Sequence, residues 1–346
     1  MNRRVLYLIL ALILLIAVSI VLIKVLHKRN PLNVDVSDIN IEIKIDRFEQ
    51  DLFDRDDDIV KRVDFLSKKY PLFYEIFNEF IINIGPATKK GSVSLSYINK
   101  LNVFLNDFAV KESKNAVDEE YSDISDIEEM LTLGFKHYSY YYPDSVVPRV
   151  VTFVAGFNHS IVTYDSILAI GLDKYLGKDC ELYLRLQIPE YARFVMDKKF
   201  IPYDCFRGWA EMLFPYNDSS DNLINRMVYE GQILYFLDAM FPGSTDDLKI
   251  AYDKSQLNYC IEHERDMWGY LIENKVLFTS DYLRIKNFVG QAPFTKDFGN
   301  DSPPRVGIWI GWQIVRSYMK NNSLSLQELM QIDDYYIILK DSQYDP

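Results

Sequence analysis

Histidine and cysteine are scarce in this chain, with four and three residues among 346. The histidines are His27, His137, His159 and His263, and no two of them stand one helical turn apart. That excludes the His-Glu-x-x-His arrangement, in which two imidazoles and a general base share one helix face around a zinc ion. His263-Glu264-Arg265-Asp266-Met267 supplies the first two residues and then a methionine where the second ligand belongs. Cys260 and His263, one turn apart, make half a metal site at most. No Gly-x-Ser-x-Gly elbow, phosphate-cradling glycine loop or Cys-x-x-Cys pair occurs, so the ordinary catalytic signatures are missing. No metal or cofactor is expected. Cys180, Cys205 and Cys260 are an odd number and build no disulfide framework. One Cys180–Cys205 or Cys205–Cys260 bridge stays open outside the cytoplasm.

A basic surplus is missing too. The net charge of −12 leaves nothing to neutralise phosphates, which removes nucleic acid as a partner. What is abundant is apolar and aromatic: 49% hydrophobic residues, with 25 Tyr and 21 Phe. A chain of this length and content buries a sizeable core, in one large or two medium domains. The aromatic residues fit core filling, with the lining of a glycan or peptide groove as their other use.

From Val5 to Ile23 the chain carries no charge, with Arg3 and Arg4 before it and Lys24, Lys28 and Arg29 after it. The run is long enough for a bilayer core. It exceeds a comfortable signal-peptide apolar region and lacks a persuasive small-x-small cleavage site. The reading is an uncleaved transmembrane helix within residues 1–29, a linker over 30–38, and a single globular domain over 39–346. The flanking charges are balanced, so they do not set orientation.

Ile39 to Ile45 alternates apolar and polar residues, the pattern of a half-buried strand. Helices are expected over Ile59 to Lys69, from Phe73 to Ile82 after Pro71, and from Leu95 to Val110. The acidic stretch Lys111 to Glu129 reads as a solvated loop opening into a helix that Pro143 ends. Val150–Val154, Ser160–Thr163 and Ser166–Ile170 are β-branched runs separated by turns, which predicts a small antiparallel meander. Helices return at Cys180 to Lys198, Ser219 to Gly243, Leu257 to Glu273 and Arg305 to Met319. Ser325 and Glu328 form a capping box before the last one. The fold class is α+β, mostly helical, with one small antiparallel sheet.

The Ser219–Gly243 stretch concentrates the chemical interest. Leu223, Met227, Leu234 and Leu237 lie on one stripe, and Glu230 falls inside it. An unpaired charge there costs several kcal/mol, so Glu230 must be paired, protonated or ligand-bound. Gly231 beside it implies a close backbone approach or a gap. Gly307 and Gly311, one turn apart next to Trp309 and Trp312, suggest a helix packed tightly on its neighbour.

Several stretches, in order, carry a resemblance. They are Asp46-Arg-Phe-Glu-Gln-Asp-Leu-Phe53, Tyr142-Pro143, Gly156-Phe157-Asn158, Gly171-Leu-Asp-Lys-Tyr-Leu-Gly177 and Ile188-Pro-Glu-Tyr191. Met227-Val-Tyr-Glu-Gly231, Gly307 to Arg316 and the closing Tyr344-Asp-Pro346 complete them. From about Ile41 onward the chain resembles the gliding motility-associated lipoprotein GldB family. That family is in turn similar to predicted zinc peptidases with His-Glu-x-x-His followed by a Glu-Gly ligand motif. The resemblance implies a zincin-like domain in which Pro189-Glu190-Tyr-Ala-Arg193 replaces the two-histidine motif and Glu230-Gly231 the third ligand.

On that basis the cleft candidates are Glu190, Arg193, Tyr229, Glu230 and Gly231, with no catalytic residue and no metal ligand. Arg193 is expected to take the vacated metal position and pair with Glu190 and Glu230. The plainer alternative is a surface Glu190–Arg193 pair. The implied function is a non-catalytic, membrane-anchored envelope protein with a pseudo-peptidase cleft. Its partners are the membrane, through residues 5–23, and envelope proteins of the gliding or secretion machinery. The location implied is the inner membrane, with the globular part in the periplasm. The competing class is a metal-independent peptide or glycan hydrolase using Glu190 or Glu230 as general base.

Overall fold

A computed structural model of the protein describes residues 30–89 and 92–346. The candidate anchor at 5–23 lies outside the described residues, and among these no helix is long and apolar enough to cross a membrane. Val36–Pro346 clusters as one unit.

Among the described residues six strands form: β1 (Ile45–Arg47), β2 (Thr88–Lys89), β3 (Ser92–Val93), β4 (Arg149–Phe153), β5 (Ile161–Tyr164) and β6 (Ile167–Gly171). β2 and β3 pair by themselves; the other four make one sheet in the order β1-β4-β6-β5. β1 runs parallel to β4 with Ile45 opposite Val150, and β4 parallel to β6 with Val151 opposite Ala169. Only β5 is antiparallel, with Val162 opposite Ala169. The expected antiparallel meander is therefore corrected to a mixed sheet. The three β-branched strands were legible, whereas the strand expected over Ile39–Ile45 is corrected to Ile45–Arg47. The loop over 154–160 carries the chain past the place β6 later fills. β5 thus lands on the edge and β6 returns between it and β4.

Two features turn that loop. Gly156 and Phe157 take φ of 69° and 67°, a region glycine enters freely and phenylalanine does not. The Asp173 Oδ2 accepts the backbone N–H of Ala155 at 3.1 Å and of Phe157 at 2.8 Å. Three of the family-like stretches, 46–53, 156–158 and 171–177, thus surround the sheet and place its edge.

Alternation across the strands divides the two faces. Val151, Phe153, Val162 and Ala169 pack on an aromatic layer with Phe48, Tyr70, Phe73 and Phe77. Phe48 meets Tyr70 and Phe73 edge-on at centroid distances of 5.2 and 5.0 Å, the geometry the ring quadrupoles favour. Ile161 and Thr163 point the other way, to Gly208 of helix Ile201–Leu213.

Helix Ile59–Lys69 forms as read, capped by Asp58. Past Pro71, a short helix passes into a π turn at Phe77–Ile81. The Leu95 to Val110 expectation is corrected: the helix stops at Asn106, and Asp107 caps a new one, Phe108–Glu120, by accepting the Val110 N–H. That second helix replaces the solvated loop expected from Lys111. Its charges hid a buried face of Val110, Ser113, Lys114 and Val117, on which Lys114 binds Asp54 at 2.8 Å and Asp118 at 2.6 Å. The single helix expected over Cys180 to Lys198 is split into Glu181–Arg185 and Glu190–Phe194, parted at Ile188-Pro189.

Leu223–Met240 is the helical centre, capped by the Asn222 side chain and buried almost all round. It crosses Val306–Asn321 at glycines: a Cβ on Gly231 would stand 2.3 Å from the Gly311 carbonyl oxygen, and one on Gly311 would stand 1.7 Å from that of Met227. Gly231 thus marks a close backbone approach, as do Gly307 and Gly311. Asp238 ties the crossing with bonds from Lys249 at 2.8 Å and from Trp312 and Arg316 at 2.9 Å. All three cysteines are free, and Cys205 and Cys260 are buried.

Candidate functional site

Glu230 sits midway along Leu223–Met240 with 22% of its side chain exposed, and it is paired. Its partner is Arg207, whose Nη1 donates to Glu230 Oε2 at 2.6 Å. Arg207 belongs to helix Ile201–Leu213, which the sequence reading left unassigned. Pro202 and Gly208 look like breakers there. Proline is tolerated in a first turn, however, because the N–H it lacks has no intrahelical acceptor. Gly208 lets the helix approach β5: a Cβ there would stand 3.0 Å from Ile161 Cγ2, and Thr163 Oγ1 donates to the Gly208 carbonyl at 3.2 Å.

One turn beyond Arg207 lies Glu211, with 44% of its side chain exposed and its Oε1 3.4 Å from Arg207 Nη1. Arg207 and Glu211 from one helix and Glu230 from the next therefore converge. Burial opposes the charge on Arg207, but Glu230 and Glu211 outweigh it and hold the guanidinium protonated. Burial raises the proton affinity of Glu211, Arg207 lowers it, and the negative Glu230 raises it again, leaving a net upward shift. Asp204, one turn earlier, is also shifted upward by burial, against the bond from Tyr175 Oη at 2.8 Å.

A second guanidinium completes the cluster. Arg305 interacts electrostatically with Arg207, Glu230 and Asp204, and burial lowers its proton affinity. It sits at φ 57° and donates Nη2 to the carbonyls of Ile250 at 2.7 Å and Ala251 at 3.1 Å. Its buried Nε has no partner among the described residues.

The expected role of Arg193 is corrected. Its Nε donates to the Ile188 carbonyl at 3.0 Å and its Nη1 to that of Lys178, so the guanidinium closes a loop instead of meeting a carboxylate. Glu190 is exposed at the start of its short helix. Neither residue makes an ion pair among the described residues. Tyr229 is buried, donates to the Phe214 carbonyl at 3.1 Å and leans on Tyr216 and Tyr335. Gly231 belongs to the helix crossing. Of the five sequence candidates, only Glu230 lies in the ionic cluster.

Arg207, Glu211, Asp204 and Arg305 were missed. The signal was present: Cys205, Phe206, Trp209 and Ala210 are buried along an amphipathic turn that carries Arg207 and Glu211 at i, i+4 spacing. Among the described residues no group of three His, Cys, Asp or Glu could hold a metal ion. Cys260 is buried, and burial pushes its thiol up. His263 faces Asp266 and Tyr259. Elsewhere a cavity of about 520 Å³ is walled by Asp54, Arg62, Asn102 and Lys114, and no sequence candidate lines it.

Neither a curated protein nor a solved structure matches the chain. A family model described as gliding motility protein GldB matches residues 29–346. With nearly its whole length matched, the chain belongs to the GldB family of gliding motility proteins.

Proposed function

We propose that this gliding-motility protein works by binding and not by hydrolysis, and that its ionic cluster is a peptidase metal site filled by an arginine. The observation that carries this reading is the Arg207–Glu230 pair at 2.6 Å with Glu211 one turn from Arg207. Two positions four apart on a helix, facing a glutamate on the next helix, share the spacing by which two histidines and a carboxylate bind zinc, and this supports the reading. Here Arg207 and Glu211 stand at the histidine positions and Gly208 at that of the general base. The site has a cation without Lewis acidity, and no carboxylate stands at the general-base position, which Gly208 takes. Relative to the sequence expectation, the exchange moves from Arg193 to Arg207.

A membrane anchor through residues 5–23, inner-membrane attachment with the domain in the periplasm, and partners in the gliding or secretion machinery belong to the same proposal. The uncharged run supports the anchor, and membership of the family supports the gliding partners. The hydrolase reading has less in its favour. Glu230 Oε2 accepts from Arg207, and Glu190 stands exposed and apart from the cluster.

Metal analysis of the full chain purified in a maltoside detergent, with a broad peptide and glycan cleavage screen, tests the proposal. Metal-free protein without turnover is the expected result. Stoichiometric metal, or turnover that Glu230→Gln abolishes, would overturn it.

A further inference from the structure

The two edges of the four-stranded sheet are treated differently. On the β1 side, side chains from helix Ser125–Tyr141 cover the edge: Ile43 N–H donates to Thr132 Oγ1 and Ile45 N–H to Glu128 Oε1, each at 2.9 Å. Open edges invite foreign strands, and such covering blunts them. Among the described residues the β5 side has no equivalent. β5 ends the sheet order, and Ile161-Val162-Thr163-Tyr164 contains no proline or charge to deter pairing.

The register shows which groups are free. Gly171 N–H donates to the Ser160 carbonyl at 2.7 Å, so the residues two and four further on, Val162 and Tyr164, also bond to β6. Ile161 and Thr163 therefore direct their N–H and C=O groups outward. No bond to these groups from outside the sheet occurs among the described residues. The side chains of the same two residues face helix Ile201–Leu213 at Gly208. Glu211, three residues on and so on the same helix face, is the most exposed member of the ionic cluster and has only a 3.4 Å contact to Arg207.

We propose that the free edge of β5 is a docking strand for an extended peptide segment that carries a basic side chain. The segment adds as a fifth strand through the N–H and C=O groups of Ile161 and Thr163. Its lysine or arginine on the helix side reaches Glu211. Main-chain bonds supply affinity without demanding a sequence, and the carboxylate selects the charge. The negative Glu230 beside Glu211 adds potential that favours a further cation. The proposal goes beyond the arginine-for-metal reading and holds whether or not the cluster derives from a metal site.

The test uses the full chain in a maltoside detergent and two capped probes, Lys-Val-Lys-Val-Lys-Val and its glutamate counterpart. At saturation the lysine probe should slow hydrogen exchange at the Ile161 and Thr163 amides about tenfold or more, leaving the already bonded Val162 amide unchanged. Thr163→Pro deletes one outward donor without touching the β6 ladder, and it should weaken the lysine probe about tenfold. Glu211→Gln should weaken it about threefold, as suits a half-exposed pair. Unchanged exchange at Ile161 and Thr163 in the unaltered protein would overturn the proposal. So would equal binding by a folded Thr163→Pro variant, or equal binding of the glutamate probe.

Discussion

Arg207 Nη1 reaches from helix Ile201–Leu213 to Glu230 Oε2 on helix Leu223–Met240 at 2.6 Å, and both side chains are about one-fifth exposed, at 21% and 22%. The pair explains how a carboxylate survives on the apolar stripe of the central helix. It also joins the sheet-covering helix to the helical centre. Removing the two partners should have unequal effects. Arg207→Met leaves Glu230 and Glu211 without the one cation that bonds them both and should cost about 3 kcal/mol. Glu230→Gln keeps an acceptor for Arg207 and should cost about 1 kcal/mol. Urea unfolding of both single variants and the double checks this; equal losses would contradict it.

At the crossing of Leu223–Met240 with Val306–Asn321, backbone meets backbone. Gly311→Ala would set a methyl 1.7 Å from the Met227 carbonyl oxygen, so the helices must separate. The expected cost is at least about 3 kcal/mol, more than ordinary overpacking because backbone cannot swing away. Gly269, inside helix Lys254–Glu273, has nothing within 4 Å of an added Cβ. Gly269→Ala should instead stabilise by about 0.5–1 kcal/mol, through helix propensity. Thermal unfolding of the two variants should shift in opposite directions.

Asp173 holds the loop that delivers β5 to the sheet edge. Burial raises its carboxyl from 3.8 to about 6, partly offset by the N–H bonds from Phe157 and Ala155, and one oxygen is left without a partner. The fold therefore favours the protonated acid. Below pH 4 both folded and unfolded chains carry the proton, and nothing is lost. As pH rises through about 4 to 6 the unfolded chain releases it first, so the folded state loses about 3 kcal/mol relative to Asp173→Asn. Stability of both proteins between pH 4 and 7.5 checks this. A difference that stays constant with pH would contradict it.

Asp238 accepts from Lys249, Trp312 and Arg316 at once, with Lys249 and Asp238 almost fully buried. Asp238→Ala would strand a buried ammonium and should cost about 3–5 kcal/mol. Asp246→Ala should cost less, since Arg316 keeps its bonds to Asp238. Guanidinium unfolding of the two variants ranks them.

What could be read from the sequence was local. The Ile59–Lys69 helix, the Ser325–Glu328 capping box, the β-branched strands and the tight crossing at Gly231 and Gly311 all announce themselves within a few residues. Strand pairing does not: β1 joins β4 across the helices between them, and parallel neighbours leave no turn signal. The same limit applies to the ionic cluster. Glu230 was visible as a charge on an apolar stripe, whereas its partner depended on which helix lies against it. Arg193 lies two residues past the family-like stretch Ile188–Tyr191, and its guanidinium is used by the Ile188 and Lys178 carbonyls. Arg207 was hidden because Pro202 and Gly208 masked its helix.

Zinc binding by the full chain carrying Arg207→His together with Glu211→His tests the central claim most directly. If Arg207, Glu211 and Glu230 occupy three ligand positions, the two imidazoles and the Glu230 carboxylate should take up one zinc ion with a Kd below about 1 μM. Glu230→Gln added to that pair should weaken it about tenfold or more. A folded double variant that binds no zinc, or binds it equally well after Glu230→Gln, would contradict the account.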